Sequence, residues 1–327
     1  MKYEKPPVLF NIEEKNRRKK PEYYEKLEGL LKNIAQEMND EFKCYLNSEK
    51  RGDLFEGDCS IRMNAFQKGE NGPYAKEDDI KKDKQFIKDE ELEWSEAENE
   101  KVRLYYKNEY KAWDDNDDEK KQTEKTVAKW KEMQEKRIGN LLEMAIVGIF
   151  YKILKNSNLS IMRSAKYDDY TNGVDTIMVD KETGQVICAF DEVSDEEGKD
   201  ERRKNKLKRM KHKAKQQGGE LKYGITFEKN NENKSVLVKK NLTNIPMFCL
   251  NLPKNELEKI LGEMKFDTDT CPREIELAFF NKMVFLMEEQ MQNLLKEQRL
   301  NENVKENLQA IPEALQKMRD ASAQYKM

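Results

Sequence analysis

Residues 174–195 read VDTIMVDKETGQVICAFDEVSD. Two short runs rich in Val, Ile, Met and Phe flank Lys181-Glu182-Thr183-Gly184, a tetrapeptide whose glycine suits a hairpin loop needing positive φ. The pair predicts an antiparallel hairpin. Side chains alternate along a strand, so Phe190, Glu192 and Ser194 share one face while Asp191 and Val193 point the other way. Asp175 enters the first strand directly after Asn172-Gly173-Val174, where glycine lets the backbone turn close to whatever the aspartate binds. The hairpin is expected to bring Asp175 and Glu192 together. Facing carboxylates repel unless a proton or a divalent cation lies between them, and Mg2+ (or Mn2+) prefers such oxygen ligands plus water.

Outward from the hairpin the period changes several times. LSIMRSA reads as a preceding strand; residues 199 to about 216 read as a helix stopped by Gly218-Gly219; LKYGITFE, SVLVKK and PMFCLNL read as three more strands before a helix from Pro253 to Met264. Upstream, Val127, Trp130, Met133, Ile138 and Leu141 recur at nearly helical spacing. They predict one long helix over about 118–155, capped by Asp117 or Asp118, whose second half LLEMAIVGIFY is apolar nearly all round. The order is α, β, β, β, α, β with additions.

After Pro272, Ile275, Phe279, Met283, Leu286, Gln290 and Leu294 trace a helical stripe, and Pro312 starts a last helix. The stripe through Phe279, Met283 and Leu286 offers a face to the N-terminal helices or to a second copy of the chain, a homo-oligomer. The chain therefore divides into a charged helical extension over 1–130, an α/β core over 131–265 and a C-terminal helical region over 266–327. Residues 77–119 hold 17 acids against 8 bases and read mostly as solvated surface.

Composition excludes several chemistries. Lys plus Arg (61) nearly balances Asp plus Glu (64), so any affinity for nucleic acid must come from local charge. The single histidine, His212, removes His-rich zinc sites and paired-histidine mechanisms. Five cysteines without a C-x-x-C suit a reducing, cytoplasmic setting. The longest apolar stretch, Ile138 to Tyr151, has 14 residues and contains Glu143, short of the roughly 20 needed to span a bilayer, so no membrane is expected.

Glu143 is the only charge in that stretch. Unpaired, it is either desolvated with a raised pKa or holds a cation or donor; the alternative is a glutamate at a groove edge bonding a backbone N–H. From Lys199 to Lys215 there are 10 lysines or arginines against two acids, around a narrow apolar stripe of Leu207, Met210 and Ala214. Such a helix docks and stays cationic outside, and Arg202, Arg203, Lys206, Arg209 and Lys213 are its expected contacts to nucleic-acid phosphates. The N-terminal run Arg17-Arg18-Lys19-Lys20 reads as a solvated arm. Lys166 to Tyr170 reads as a polar aromatic loop, either plain or lying over a bound strand and stacking on a base. Ser194, Asp191 and His212 have the residue types of a hydrolase triad, but no G-x-S-x-G elbow surrounds the serine.

A core of α, β, β, β, α, β with Glu143 in the first helix, Asp175 on the second strand and Glu192 on the third resembles the PD-(D/E)XK nuclease superfamily over about residues 131–228. The resemblance implies an α/β (α+β), restriction-endonuclease-like αβββαβ core with a mixed central sheet, flanked by long helical extensions. It implies that Asp175, Glu192 and the Val193 carbonyl, supported by Glu143, bind Mg2+ for cleavage of a phosphodiester. The lysine that follows the glutamate by two positions in that family is Ser194 here. Lys199, Lys204 or Lys206 on the following helix, or Lys222 on the next strand, are the residues that would replace it, with Lys206 carried as the candidate beside Ser194. Loss of that lysine leaves the alternative of an inactive nuclease-like fold that binds nucleic acid or assembles.

Overall fold

The computed structural model describes residues 8–45, 53–66, 77–105, 124–125, 127–128, 130–131, 137–195, 201–229 and 232–325, of which the side chains of 8–21, 44, 66, 96–105, 195, 201–202 and 235 are not described. The elements are α1 (Val8–Phe42), α2 (Glu77–Tyr105), α3 (Ile138–Leu154), β1 (Leu159–Arg163), α4 (Lys166–Asn172), β2 (Thr176–Asp180), β3 (Val186–Asp195) and α5 (Glu201–Gln216). They continue with β4 (Gly219–Lys229), β5 (Ser235–Ile245), β6 (Met247–Pro253), α6 (Lys254–Glu263), α7 (Glu274–Leu295), α8 (Glu302–Gln309) and α9 (Ile311–Ala323).

The central hairpin forms as the sequence predicts. β2 and β3 pair antiparallel with Thr176 opposite Phe190, and Gly184 takes φ 68° in the turn. β1 joins antiparallel to β2, and β6 runs parallel to β3 with Leu250 opposite Glu192. The result is a mixed four-stranded sheet in the order β1-β2-β3-β6.

The strand after the cationic helix does not enter this sheet. β4 pairs with β5 in a separate two-stranded ribbon. The reason lies in the side chains: MFCLNLP of β6 is almost continuously apolar and suits a parallel strand covered on both faces, whereas β4 places Glu220, Lys222 and Glu228 among its apolar residues.

Three other expectations change. The single helix over about 118–155 is interrupted, because Arg137 is extended (φ −69°, ψ 144°) immediately before α3; its expected caps Asp117 and Asp118 lie outside the described residues. The supposed loop at Lys166 is two turns of helix, closed by Gly173 in the left-handed region (φ 56°, ψ 49°), whose N–H donates to the carbonyls of Asp168 and Asp169. The stripe of α7 is not free for a second copy: Phe279 and Met283 are buried and Leu286 packs against the same core, with Phe280 against Phe150 at 4.7 Å between ring centroids.

The core crosses the expected boundaries. Leu27, Leu30, Leu31, Ile34 and Met38 of α1 are fully buried at helical spacing and pack on α3, and they belong to one buried cluster with the sheet and with α7 and α9. Gly148 lets α1 approach closely, since a Cβ there would stand 2.8 Å from Leu30 Cδ2. No helix among the described residues is long and apolar enough to cross a membrane.

Candidate active site

At the end of the hairpin the ladder stops after Thr176 and Phe190, and the two strands separate. The Asp175 N–H still donates to the Phe190 carbonyl (3.0 Å), and its carboxylate Oδ2 accepts the Glu192 N–H at 2.8 Å. Asp175 is therefore fixed by backbone bonds on both sides of its side chain. Glu192 lies beside it, 4% exposed, and neither carboxylate oxygen has a hydrogen-bond partner among the described residues. Burial and the nearby charges of Asp175 and Glu143 hold its pKa well above the usual carboxylate range.

Glu143 reaches the same place from α3 and accepts a bond from Arg163 Nη2 at 2.6 Å. Burial and Asp175 push its pKa up to about 7, against the pull of Arg163 and Lys206. The ambiguity about this residue resolves into a desolvated acid paired with an arginine, not a glutamate on a backbone N–H. Asp169, from α4, completes the group: burial, Asp175 and Glu143 raise it well above its ordinary value. Asp191, on the opposite face of β3, is raised to about 6 by burial and Asp175.

Of the candidate lysines among the described residues, Lys206 is the one that reaches these acids. Its ammonium donates to Asp191 Oδ1 and, at 2.5 Å, to the Glu192 carbonyl. Burial works against its charge, but Asp175 and Asp191 outweigh that and raise its pKa. Lys222 is engaged elsewhere with Asp83 (2.6 Å), Lys204 is exposed, and Lys199 lies outside the described residues. Ser194 is buried with its hydroxyl donating to the Leu252 carbonyl at 3.1 Å.

The strand's pleat corrects the carbonyl ligand. The N–H and C=O of one residue leave the same edge of a strand, and the Ala189 N–H donates to Pro246 while the Phe190 carbonyl and the Glu192 N–H face Asp175. Odd-numbered residues thus look toward β6, and the carbonyl on the Asp175 side is that of Glu192, not that of Val193.

The cationic helix is only partly the free surface its composition suggests. Lys206 points into the site, Lys213 donates to the Asn172 carbonyl, and Lys211 and Lys215 pair with Glu297 at 3.0 and 2.9 Å. Arg209 is exposed and Arg203 half-buried; the Arg202 side chain, like those of the basic run at 17–20, lies outside the described residues. His212 is exposed and takes no part in a triad.

The acids open into a cleft of about 1400 Å³. The N-terminal zone also lines it, through Glu28 and Lys32 of α1, the turn at Gly57 and Asp58, Glu91 and Trp94 of α2, and Trp130. Zone 77–119 is thus not all solvated surface. Asp83 and Glu91 are buried among Ile80, Ile87 and Trp94. Asp83 accepts from the Tyr223 hydroxyl (2.5 Å), and Glu91 pairs with Lys131 (2.7 Å) and Lys166. The spacing 80, 83, 87, 91 carries that inward face in the sequence, hidden by the acids on it.

Among the described residues no group of three or more His, Cys, Asp or Glu side chains stands in a metal-ligating arrangement. The chain matches no protein-family model, no curated protein and no solved structure.

Proposed function

We propose that this protein is a divalent-metal-dependent phosphodiesterase acting on nucleic acid, with a restriction-endonuclease-like core of the PD-(D/E)XK type in which β6 takes the place of the strand after the cationic helix. The observation that carries the reading is the convergence of Glu143, Asp175, Glu192 and Lys206 in the lining of one cleft.

The donor set fits Mg2+ or Mn2+. Two buried carboxylate oxygens of Glu192 without partners, next to a carboxylate of Asp175 that accepts one backbone N–H, are hard oxygen donors, and Mg2+ commonly takes only one or two carboxylates with water and substrate phosphate making up the rest. Asp175, Glu192 and its carbonyl would hold the ion, with Glu143 and Asp169 completing the acidic side. When bound, the ion lowers the pKa of water and offsets charge on the phosphate. Lys206 supplies the ammonium that the third strand lacks at Ser194; it orients the attacking water and stabilises the charge that develops on the phosphoryl oxygens. Arg163 holds Glu143 in place and keeps its own charge against burial through Glu143 and Asp58.

Incubation of single- and double-stranded DNA and RNA with Mg2+ or Mn2+ tests this. Cleavage is expected, stopped by chelator, abolished in Asp175→Ala and Glu192→Ala, and lowered roughly 10²- to 10⁴-fold in Lys206→Met. Cleavage that survives both alanine substitutions rejects the reading. One observation favours a second reading, a binding module without turnover: Lys206 already neutralises Asp191, so the acids have a protein cation of their own. It predicts salt-dependent binding indifferent to chelator and no cleavage with any metal.

A further inference from the structure

We infer that Trp94, braced by Trp130 and Tyr170, forms a stacking subsite for an unpaired base, so that the cleft takes single-stranded polynucleotide or a frayed end in preference to an intact duplex; this rests on the reading of the cleft as a nucleic-acid site. Four large apolar side chains are exposed among the described residues, and Trp94, at 39%, is the one that lines the cleft. Its ring sits 4.9 Å from that of Tyr170 and 6.3 Å from that of Trp130. Both neighbours are fixed: the Tyr170 hydroxyl donates to Glu91 at 3.3 Å, and Trp130 is buried. A platform held this way loses little conformational freedom when a ligand arrives.

The surroundings match a nucleotide. Lys166 lies 5.4 Å from the centroid of the Tyr170 ring, and Lys131 and Lys166, both paired with Glu91, are about half exposed beside the platform, where they add positive charge. Tyr170 follows Asp169 directly on α4, and Asp169 feels Asp175 and Glu143 strongly, so the platform adjoins the acids. A base inside a duplex has both faces covered by its neighbours. An unpaired one offers a face to an indole, and such stacking is tolerant of sequence.

Binding measured in chelator separates this from the nuclease reading. A fluorescein-labelled 12-nucleotide single-stranded DNA, its RNA counterpart and the blunt DNA duplex are titrated with wild type, Trp94→Leu and Trp94→Phe. Leucine keeps apolar packing without a π face. Both single strands are expected to bind more tightly than the duplex and to quench the intrinsic tryptophan fluorescence. Trp94→Leu is expected to weaken single-strand binding roughly ten- to hundred-fold and Trp94→Phe less than about threefold, with duplex binding unchanged. The inference falls if wild type binds no oligonucleotide, if Trp94→Leu binds the single strands as wild type does, or if it loses single strand and duplex in the same proportion. If Trp94→Leu melts far below wild type, the wild-type quenching decides, and its absence overturns the inference. A protein that binds in this pattern but does not cut retains the subsite and loses the nuclease reading; one that cuts with no effect of Trp94→Leu on single-strand binding does the reverse.

Discussion

Asp168 and Glu192 are two buried acids with opposite surroundings. Asp168 accepts the N–H groups of Lys222 and Tyr223 at 2.7 and 3.0 Å and the Asn172 amide at 2.9 Å, which ties α4 to β4. Glu192 has none of these bonds. A buried carboxylate without donors costs free energy and persists where something else repays it. Its group leaves a signature in stability. Glu143, Glu192 and Asp169 all have raised pKa values, so the folded chain holds protons that the unfolded chain has released. Stability from these groups is greatest near the ordinary carboxylate range and falls as pH rises from about 4.5 through about 7. In chelator, melting at about pH 7.5 is expected roughly 3–8 °C below that at about pH 5.5, and excess Mn2+ at the higher pH is expected to restore it. A melting temperature that rises between these two values contradicts the assignment. Period-2 alternation made Asp175 and Glu192 legible, and a lone charge in an apolar helix made Glu143 so. Asp169 and Arg163 were not, because their roles depend on how α4 and the end of β1 lie in space.

The elements that position the site are held by buried polar contacts as much as by apolar ones. α3, which carries Glu143, is tied to α7 by Lys152, whose ammonium pairs with Glu276 and donates to the Lys265 carbonyl at 2.7 Å. The side chains of this pair are 1% and 0% exposed. Breaking it with Lys152→Met leaves Glu276 buried and unpaired, and a loss of about 3–5 kcal/mol is expected in denaturant melts. The double change Lys152→Met with Glu276→Leu is expected to recover most of that; recovery of none would place the cost in packing. Most element types were legible from period and glycine. What the sequence did not reveal was partnership: β4 and β6 are both good strands, and only the near-continuous apolar run of β6 marks it for the covered place beside β3. Likewise, Lys199, Lys204, Lys206 and Lys222 could not be ranked by sequence distance, since the reach of a lysine depends on how α5 packs on β3 and β6.

At the scale of the whole molecule, the charged N-terminal zone is part of the core and of the cleft lining. α1 covers α3 with a fully buried stripe, and α2 and Trp130 line the cleft that holds the carboxylates. High overall charge concealed this, because the buried positions of α1 and α2 are diluted among solvated ones. All three zones share one core, and the N-terminal one lines the cleft. On the proposed function, the acids at the hairpin's end bind a divalent cation. Calorimetric titration of Mn2+ into the full chain near pH 7.5 tests it most directly: one saturable site is expected in wild type, lost in Glu192→Gln and kept in Glu91→Gln, whose acid lines the same cleft but is paired with lysines. No saturable heat in wild type, or the same site undiminished in Glu192→Gln, contradicts the account.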